Sequence, residues 1–178
     1  DMKILVTGSN GLLGQKLIYA LRNRHDVKCI STSRGENRMK AKDGYLYSSM
    51  DISDPSLVAS VFEKYRPDVV INTAAMTNVD ACENNRDEAW LLNVQSVEHI
   101  IVACKKYNSH LVHLSTDFVF DGRSGPYVET DEPNPLSFYA HTKYEGEKLI
   151  EKSGISAAIL RTIIIYGVVD DNSRSNVV

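Results

Sequence analysis

The fold is decided by Thr7-Gly8-Ser9-Asn10-Gly11-Leu12-Leu13-Gly14 near the start of the chain. A β-branched run over residues 4–7 leads into it and an apolar helical pattern follows, which predicts a strand, a tight turn and a helix. In such a unit the glycines permit the turn, the approach of a pyrophosphate and close helix–strand packing, while the helix N-terminus attracts phosphate. We therefore expect a dinucleotide site formed by Gly8, Asn10, Gly11, Leu12, Leu13 and Gly14.

Strand-like and helix-like segments alternate along the rest of the chain. Strands are predicted over residues 4–7, 27–31, 69–72, 111–115 and 159–165. Helices are predicted after Leu12, from Pro55 behind an Asp54 N-cap to about Arg66, across Ala89 to Cys104, and from about Ser137 to Lys152. Because the strands are apolar on both faces, we expect a doubly wound, three-layer α/β Rossmann fold with a mostly parallel sheet.

Two long polar segments interrupt this alternation, at residues 33–44 and 116–136, and both are predicted loops. A further polar stretch follows residue 167 and leads into a new apolar run. We expect an NAD(P)-binding Rossmann domain over residues 1–167 and the start of a truncated further region over 168–178, so that the chain is a fragment.

Composition narrows the classes of partner. The chain has 178 residues and a formal net charge of −3, which gives no reason to expect nucleic acid or a membrane surface as a partner. We expect no transmembrane helix and no signal peptide. Three distant cysteines form no disulfide framework, and the histidines have no metal-ligand spacing, so we expect a cytoplasmic protein with reduced thiols and no metal.

The end of the second predicted strand bears on cofactor choice. NAD-binding versions of the fold usually place an acid there for the ribose 2′-hydroxyl, whereas a nearby arginine can accept a 2′-phosphate. This chain has Ser33 and Arg34 instead of an acid. The two residues favour NADP(H) over NAD(H), and the alternative is a solvated loop arginine.

Tyr139 and Lys143 form a Tyr-x-x-x-Lys motif at the start of the last predicted helix. A spacing of four places both side chains on one helix face, where an ammonium would lower the pKa of a phenol. Such a phenol can exchange a proton with a carbonyl group or an alcohol. The spacing alone also fits a surface pair, but the hydroxyl groups of Ser115 and Thr116 close a neighbouring strand at the edge where a cofactor would lie.

At this point the sequence resembles the extended short-chain dehydrogenase/reductase family, and within it the dTDP-4-dehydrorhamnose reductase branch. The resemblance covers essentially the whole chain. Several matching segments are common to the superfamily, whereas the Ser-Thr-Asp-Phe-Val-Phe-Asp-Gly run over residues 115–122 is more specific and resembles the reductase branch. The matching segments are residues 7–14, 51–54, 66–75, 89–93, 115–122, 139–143, 146–148, 160–162 and 166–167.

The resemblance implies a catalytic triad of Thr116, Tyr139 and Lys143. Tyr139 would protonate the sugar C4 oxygen as a hydride arrives from the nicotinamide, Lys143 would bind the nicotinamide ribose, and Thr116 would bond the substrate oxygen. The remaining implied contacts are Asp51 and Ile52 with the adenine, Ala75, Met76 and Thr77 along the cofactor, and Thr116 and Asp117 with the sugar of a nucleotide-sugar substrate. The resemblance also implies that the further region over 168–178 is the start of a substrate-binding region and that the C-terminal substrate domain is largely missing.

Other members of this superfamily remain as alternatives. Nucleotide-sugar 4,6-dehydratases carry Asp-Glu after the active-site threonine, whereas Phe118 follows Asp117 here, which disfavours dehydration. Epimerases share the Tyr and Lys pair and stay open. The non-catalytic, NADP-binding regulatory β subunit of methionine adenosyltransferase also resembles these reductases. A homodimer through the third and fourth helices is consistent with the resemblance.

Overall fold

A six-stranded sheet forms the centre of the computed structural model, which describes residues 1–170. The strands are β1 (Met2–Thr7), β2 (Val27–Ser33), β3 (Leu46–Ser49), β4 (Val69–Asn72), β5 (His110–Thr116) and β6 (Ala157–Thr162). All the neighbouring strands are parallel. Residues 171–178, most of the predicted second region, lie outside the described residues.

The strand order is β3-β2-β1-β4-β5-β6. The first three strands extend to one side of β1 and the last three to the other, so the switch point of the sheet lies between β1 and β4. Ligands of doubly wound sheets bind beside such a switch point, at the carboxyl ends of the strands. The predicted Rossmann fold is confirmed. The sequence patterns did not predict β3, and β6 lies over Ala157–Thr162 rather than over residues 159–165.

The helices are α1 (Leu12–Leu21), α2 (Pro55–Tyr65), α3 (Val79–Asn84), α4 (Arg86–Trp90), α5 (Ser96–Tyr107) and α6 (Phe138–Ser153). Asp54 caps α2 by accepting from the N–H groups of Ser56 and Leu57, as its position predicted. Ser137 caps α6 in the same way through the N–H of Ala140. The third predicted helix is observed as α4 and α5 joined by a π-helical turn over Leu91–Gln95.

Apolar residues on the two faces of the sheet form two separate core clusters. Leu5 packs with Val70 and Phe62 in the larger cluster, beneath α2, α5 and α6. Ile4 and Val6 point to the opposite face and pack with Ile18 of α1. Burial on both faces explains the nearly continuous apolar runs of these strands. Within residues 1–170, no helix is long and apolar enough to cross a membrane.

Candidate active site

The loop between β1 and α1 has the geometry that its glycines predicted. Gly8 has a φ of +66°, and a Cβ there would lie 2.8 Å from the backbone nitrogen of Ala74. A Cβ on Gly14 would lie 2.2 Å from the Gly8 carbonyl oxygen, so this close packing requires glycine. Gly11 precedes α1 and no side chain caps that helix. The helix therefore presents uncapped N–H groups and the positive end of its dipole at the switch point.

A chain of buried polar side chains crosses the sheet beside this loop. The Thr7 hydroxyl donates to Asn72 Oδ1 at 2.6 Å, and Asn72 Nδ2 lies 3.1 Å from His113 Nδ1. Since the Asn72 amide donates, His113 Nδ1 accepts, and burial together with nearby Lys143 holds the pKa of His113 well below its usual value. Thr7 Oγ1 also accepts from the N–H of Thr73 at 3.1 Å. This chain fixes the start of the loop that carries Ala75, Met76 and Thr77.

The predicted adenosine contacts lie at the carboxyl ends of β2 and β3. Ser33 ends β2, and Arg34 is exposed just beyond it. Asp51 follows β3 and accepts from both the backbone N–H and the hydroxyl of Ser53, which lowers the pKa of its carboxyl, with a smaller lowering from Arg34. Ile52 is buried at 8 % exposure. The fold brings these four predicted residues together on one side of the phosphate loop.

Tyr139 and Thr116 meet at the other side of the switch point. Thr116 ends β5 and is 6 % exposed, while Tyr139 lies in the first turn of α6 with its ring edge-on to Phe118. Burial raises the pKa of Tyr139. The hydrogen bond with the Thr116 hydroxyl lowers this pKa, and the nearby Cys82 and Asp117 raise it further. The expected lowering of the Tyr139 pKa by the lysine four residues later is wrong here, because Lys143 does not contribute to this pKa and burial raises it.

Lys143 lies one helical turn after Tyr139 and is buried, so it is not a surface side chain. Its exposed fraction is 4 %, and its Nζ donates to the carbonyl oxygen of Leu114 in β5 at 2.7 Å. Burial lowers the pKa of Lys143 to about 8, and the Glu147 carboxylate opposes that lowering. The Lys143 ammonium thus bonds a backbone carbonyl oxygen of β5, whereas the spacing had led us to expect it close to the Tyr139 phenol.

A buried ion pair lies one helical turn beyond Lys143. Glu147 is 1 % exposed and accepts from Arg161 Nε of β6 at 2.7 Å. Burial raises the pKa of Glu147, and Arg161 opposes the rise. The Arg161 guanidinium also lies 5.1 Å from the Phe120 ring centroid. The pair therefore joins α6 and β6 to the loop that follows β5, and the sequence analysis gave it no role.

Asn93 is a second residue near the site to which the sequence analysis gave no role. It lies in the π-helical turn and is 2 % exposed. Its side chain accepts from the Met76 N–H at 2.8 Å and donates to the Met76 carbonyl oxygen at 3.0 Å and to the Thr142 hydroxyl at 3.0 Å. Asn93 thus joins the loop after β4 to α6. An asparagine on an otherwise apolar helical face was the signal available in the sequence.

An open cavity of about 970 Å³ lies beside Asp117. Its wall is apolar at Phe118, Leu136 and Leu160, and it carries the carboxylates of Glu129 and Glu151. In the part of the chain that the structure describes, no cluster of three or more His, Cys, Asp or Glu side chains could hold a metal ion. Arg161 also lines the cavity, so the recess combines apolar, acidic and basic side chains.

Comparison with known proteins assigns the chain to a family. The family described as the RmlD substrate binding domain matches residues 2–178. The chain belongs to this family. It is 36 % identical to a dTDP-4-dehydrorhamnose reductase of Aggregatibacter actinomycetemcomitans, over 96 % of this chain and 54 % of that protein. It is 33 % identical to the methionine adenosyltransferase 2 subunit beta of Bos taurus, over 99 % of this chain and 51 % of that protein.

Solved structures related to this RmlD family member agree with the fold. A dTDP-4-dehydrorhamnose reductase from Bacillus anthracis in complex with NADP has a TM-score of 0.81 at 30 % identity, covering 97 % of this chain and 57 % of that chain. The Bordetella bronchiseptica enzyme WbmG in complex with NAD has a TM-score of 0.80 at 22 % identity, covering 90 % and 52 %, and shows the fold alone. The chain spans about half the length of the curated relatives it matches.

Proposed function

We propose that this chain is the cofactor-binding part of an NADP(H)- or NAD(H)-dependent reductase that delivers a hydride to C4 of a 4-keto-6-deoxy nucleotide sugar. The observation that carries the proposal is the meeting of Thr116 and Tyr139 at the carboxyl edge of the sheet, with Lys143 buried one helical turn after Tyr139. The reductase relative that is 36 % identical supports this reaction class.

The residues around the switch point fit a nicotinamide dinucleotide. The close-packed Gly8 and Gly14, together with the uncapped start of α1, suit a pyrophosphate, and exposed Arg34 suits a 2′-phosphate. When bound, the reduced nicotinamide supplies the hydride. The NADP complex of the relative from Bacillus anthracis supports this choice of cofactor. Residues 1–167 would then be the cofactor domain, and 168–178 would begin the substrate-binding region.

In this proposal Tyr139 donates its phenolic proton to the sugar C4 oxygen. Its raised pKa keeps the phenol protonated at neutral pH, as a proton donor requires. The Thr116 hydroxyl bonds the same oxygen, and Asp117 contacts the sugar. The Lys143 ammonium holds the nicotinamide ribose and, once close to the phenol, stabilises the phenolate that remains.

A second candidate is a regulatory, NADP-binding protein without turnover. The match to methionine adenosyltransferase 2 subunit beta, at 33 % identity over 99 % of this chain, favours it. Fold alone does not separate the two candidates. An epimerase, the third alternative, would form product without net consumption of cofactor.

The test follows NADPH oxidation by the full-length protein with dTDP-4-dehydrorhamnose, beside the same assay with NADH. Tyr139→Phe removes the proton donor and should lower the rate about 100-fold or more. Tyr144→Phe, five residues along the same helix, is the matched control and should keep the rate. Tight NADPH binding without oxidation would contradict the reductase and support the regulatory candidate.

A further inference from the structure

Asn10 of the phosphate loop directs its side chain away from the open edge of the sheet and into the protein. It is 2 % exposed, its Nδ2 donates to the Glu36 carbonyl oxygen at 2.8 Å, and its Oδ1 accepts from the Arg38 N–H at 2.9 Å. Both polar atoms of the side chain are thus engaged by the loop that follows β2. The phosphate loop and the loop over residues 34–40 are joined through this one amide.

The backbone of Asn10 is held by a second set of bonds. Its carbonyl oxygen accepts from Gln15 Nε2 at 2.9 Å, and Gln15 Oε1 accepts from the Asp170 N–H at 3.0 Å. Asp170 Oδ2 in turn accepts from the Lys40 N–H at 2.8 Å and from the Tyr19 hydroxyl at 2.6 Å. Asn10, the 36–40 loop, Asp170 and Gln15 therefore form a closed ring of contacts, which we call the Asn10 ring.

The Asn10 ring includes the segment that follows Arg34. Met39, within that segment, is 1 % exposed and packs against Ile4 and Ile18, so the loop is anchored to the core as well as to Asn10. Arg34 is exposed, two residues before the bonded carbonyl of Glu36. The hydrogen bonds of Asn10 therefore hold the segment after Arg34 to the phosphate loop, in addition to the backbone bond from the Ser9 N–H to the Thr32 carbonyl oxygen at the end of β2.

We propose that Asn10 is a positioning residue for recognition of the ribose 2′-phosphate, which rests on the proposed NADP(H) function. It acts by holding the 34–40 loop so that Arg34 lies at the adenosine ribose. The pyrophosphate end is fixed independently, because Gly8 packs on Thr73 and Ala74 and Gly14 packs on Gly8. Loss of the Asn10 amide should therefore weaken binding of a 2′-phosphorylated cofactor selectively.

The test is calorimetric binding of NADP⁺ and of NAD⁺ to the full-length protein and its variants. Asn10→Ala should raise the Kd for NADP⁺ about tenfold and the Kd for NAD⁺ by a clearly smaller factor. Asn37→Ala is the matched control, because the Asn37 side chain bonds Tyr45 and the Met39 N–H and does not reach the phosphate loop. It should leave the ratio of the two Kd values unchanged.

Asp170→Ala opens the Asn10 ring on its far side and keeps the inference testable if Asn10→Ala does not fold. It should shift the ratio in the same direction by a smaller factor. Equal weakening of both cofactors by Asn10→Ala, or no weakening of either, would overturn the role of Asn10. Preference of the unaltered protein for NAD⁺ would overturn its premise at Arg34, and binding of neither cofactor would refute the proposed function itself.

Discussion

Replacing Lys143 with methionine should stabilise the folded chain at neutral pH while removing its proposed function. Lys143 is 4 % exposed, and its ammonium has one hydrogen bond, to the Leu114 carbonyl oxygen, in the part of the chain described. A buried charge of this kind costs stability, whereas an apolar side chain of similar volume does not. A gain in stability coupled to a loss of function is what a lysine retained for binding and catalysis predicts.

The magnitude follows from the pKa of Lys143. A pKa lowered from 10.5 to about 8 corresponds to a cost of about 3 kcal/mol at pH 7. Removing this cost stabilises the folded chain, but methionine leaves the Leu114 carbonyl oxygen without its donor, which offsets about 1 kcal/mol of the stabilisation. We therefore expect Lys143→Met to raise the free energy of unfolding by about 2 kcal/mol at pH 7.

The stabilisation by Lys143→Met should decrease as the pH rises above 8. Below pH 8 the folded and unfolded chains both hold the proton on Lys143, and the full cost is present. Between pH 8 and 10.5 the folded chain releases this proton first, so the unaltered protein gains stability as the pH rises. At pH 9.5 the cost has fallen to about 1 kcal/mol, and the advantage of methionine nearly disappears.

Urea denaturation at pH 7 and pH 9.5, followed by the fluorescence of the single tryptophan, Trp90, measures both values. Lys148→Met is the matched control on the same helix, because Lys148 is partly exposed and paired with Glu145. It should change stability by less than about 1 kcal/mol at either pH. A loss of stability in Lys143→Met at pH 7, or an equal gain at both pH values, would refute the reasoning.

Two further substitutions probe the packing around the site. Gly14→Ala places a Cβ 2.2 Å from the Gly8 carbonyl oxygen, so we expect a loss of about 1–3 kcal/mol in thermal denaturation and weaker dinucleotide binding in calorimetry; unchanged binding would contradict the close packing. Arg161→Met leaves the Glu147 carboxylate buried without its partner and should cost about 3–5 kcal/mol at pH 7. That loss should shrink at pH 5 as Glu147 takes up a proton, and a loss independent of pH would argue against an ionised Glu147.

The parts of the fold that the sequence predicts are those fixed by local backbone chemistry. Asp54 and Pro55 predict the start of α2, and Gly8 and Gly14 predict the turn and the close packing beside it. Asp54 and Gly14 act on atoms within six positions of themselves, and the positive φ of Gly8 belongs to its own backbone. β3 was not predicted, because its four residues, Leu46–Ser49, are short, half polar and paired with β2 alone.

The candidate site was predicted less completely, because its side chains interact across the sequence. The Tyr-x-x-x-Lys spacing places Tyr139 and Lys143 on one helix face, but Lys143 bonds Leu114, 29 residues away. Asn93, in the π-helical turn, bonds Met76 and Thr142, which lie 17 and 49 positions away. Such contacts depend on the assembled sheet, which periodicity does not describe.

The Asn10 ring has a consequence for co-translational folding of the domain. Tyr19 and Asp170 are 151 positions apart, and β1 needs β4, which starts at Val69, for its second neighbour. The contacts of the phosphate loop, which is synthesised first, are therefore complete only after Asp170, the last described residue, has been synthesised. Long-range pairings of this kind form slowly and leave apolar strands open to aggregation. Until Asp170 has left the exit tunnel, the nascent chain lacks the bonds that Asp170 makes to Gln15, Lys40 and Tyr19.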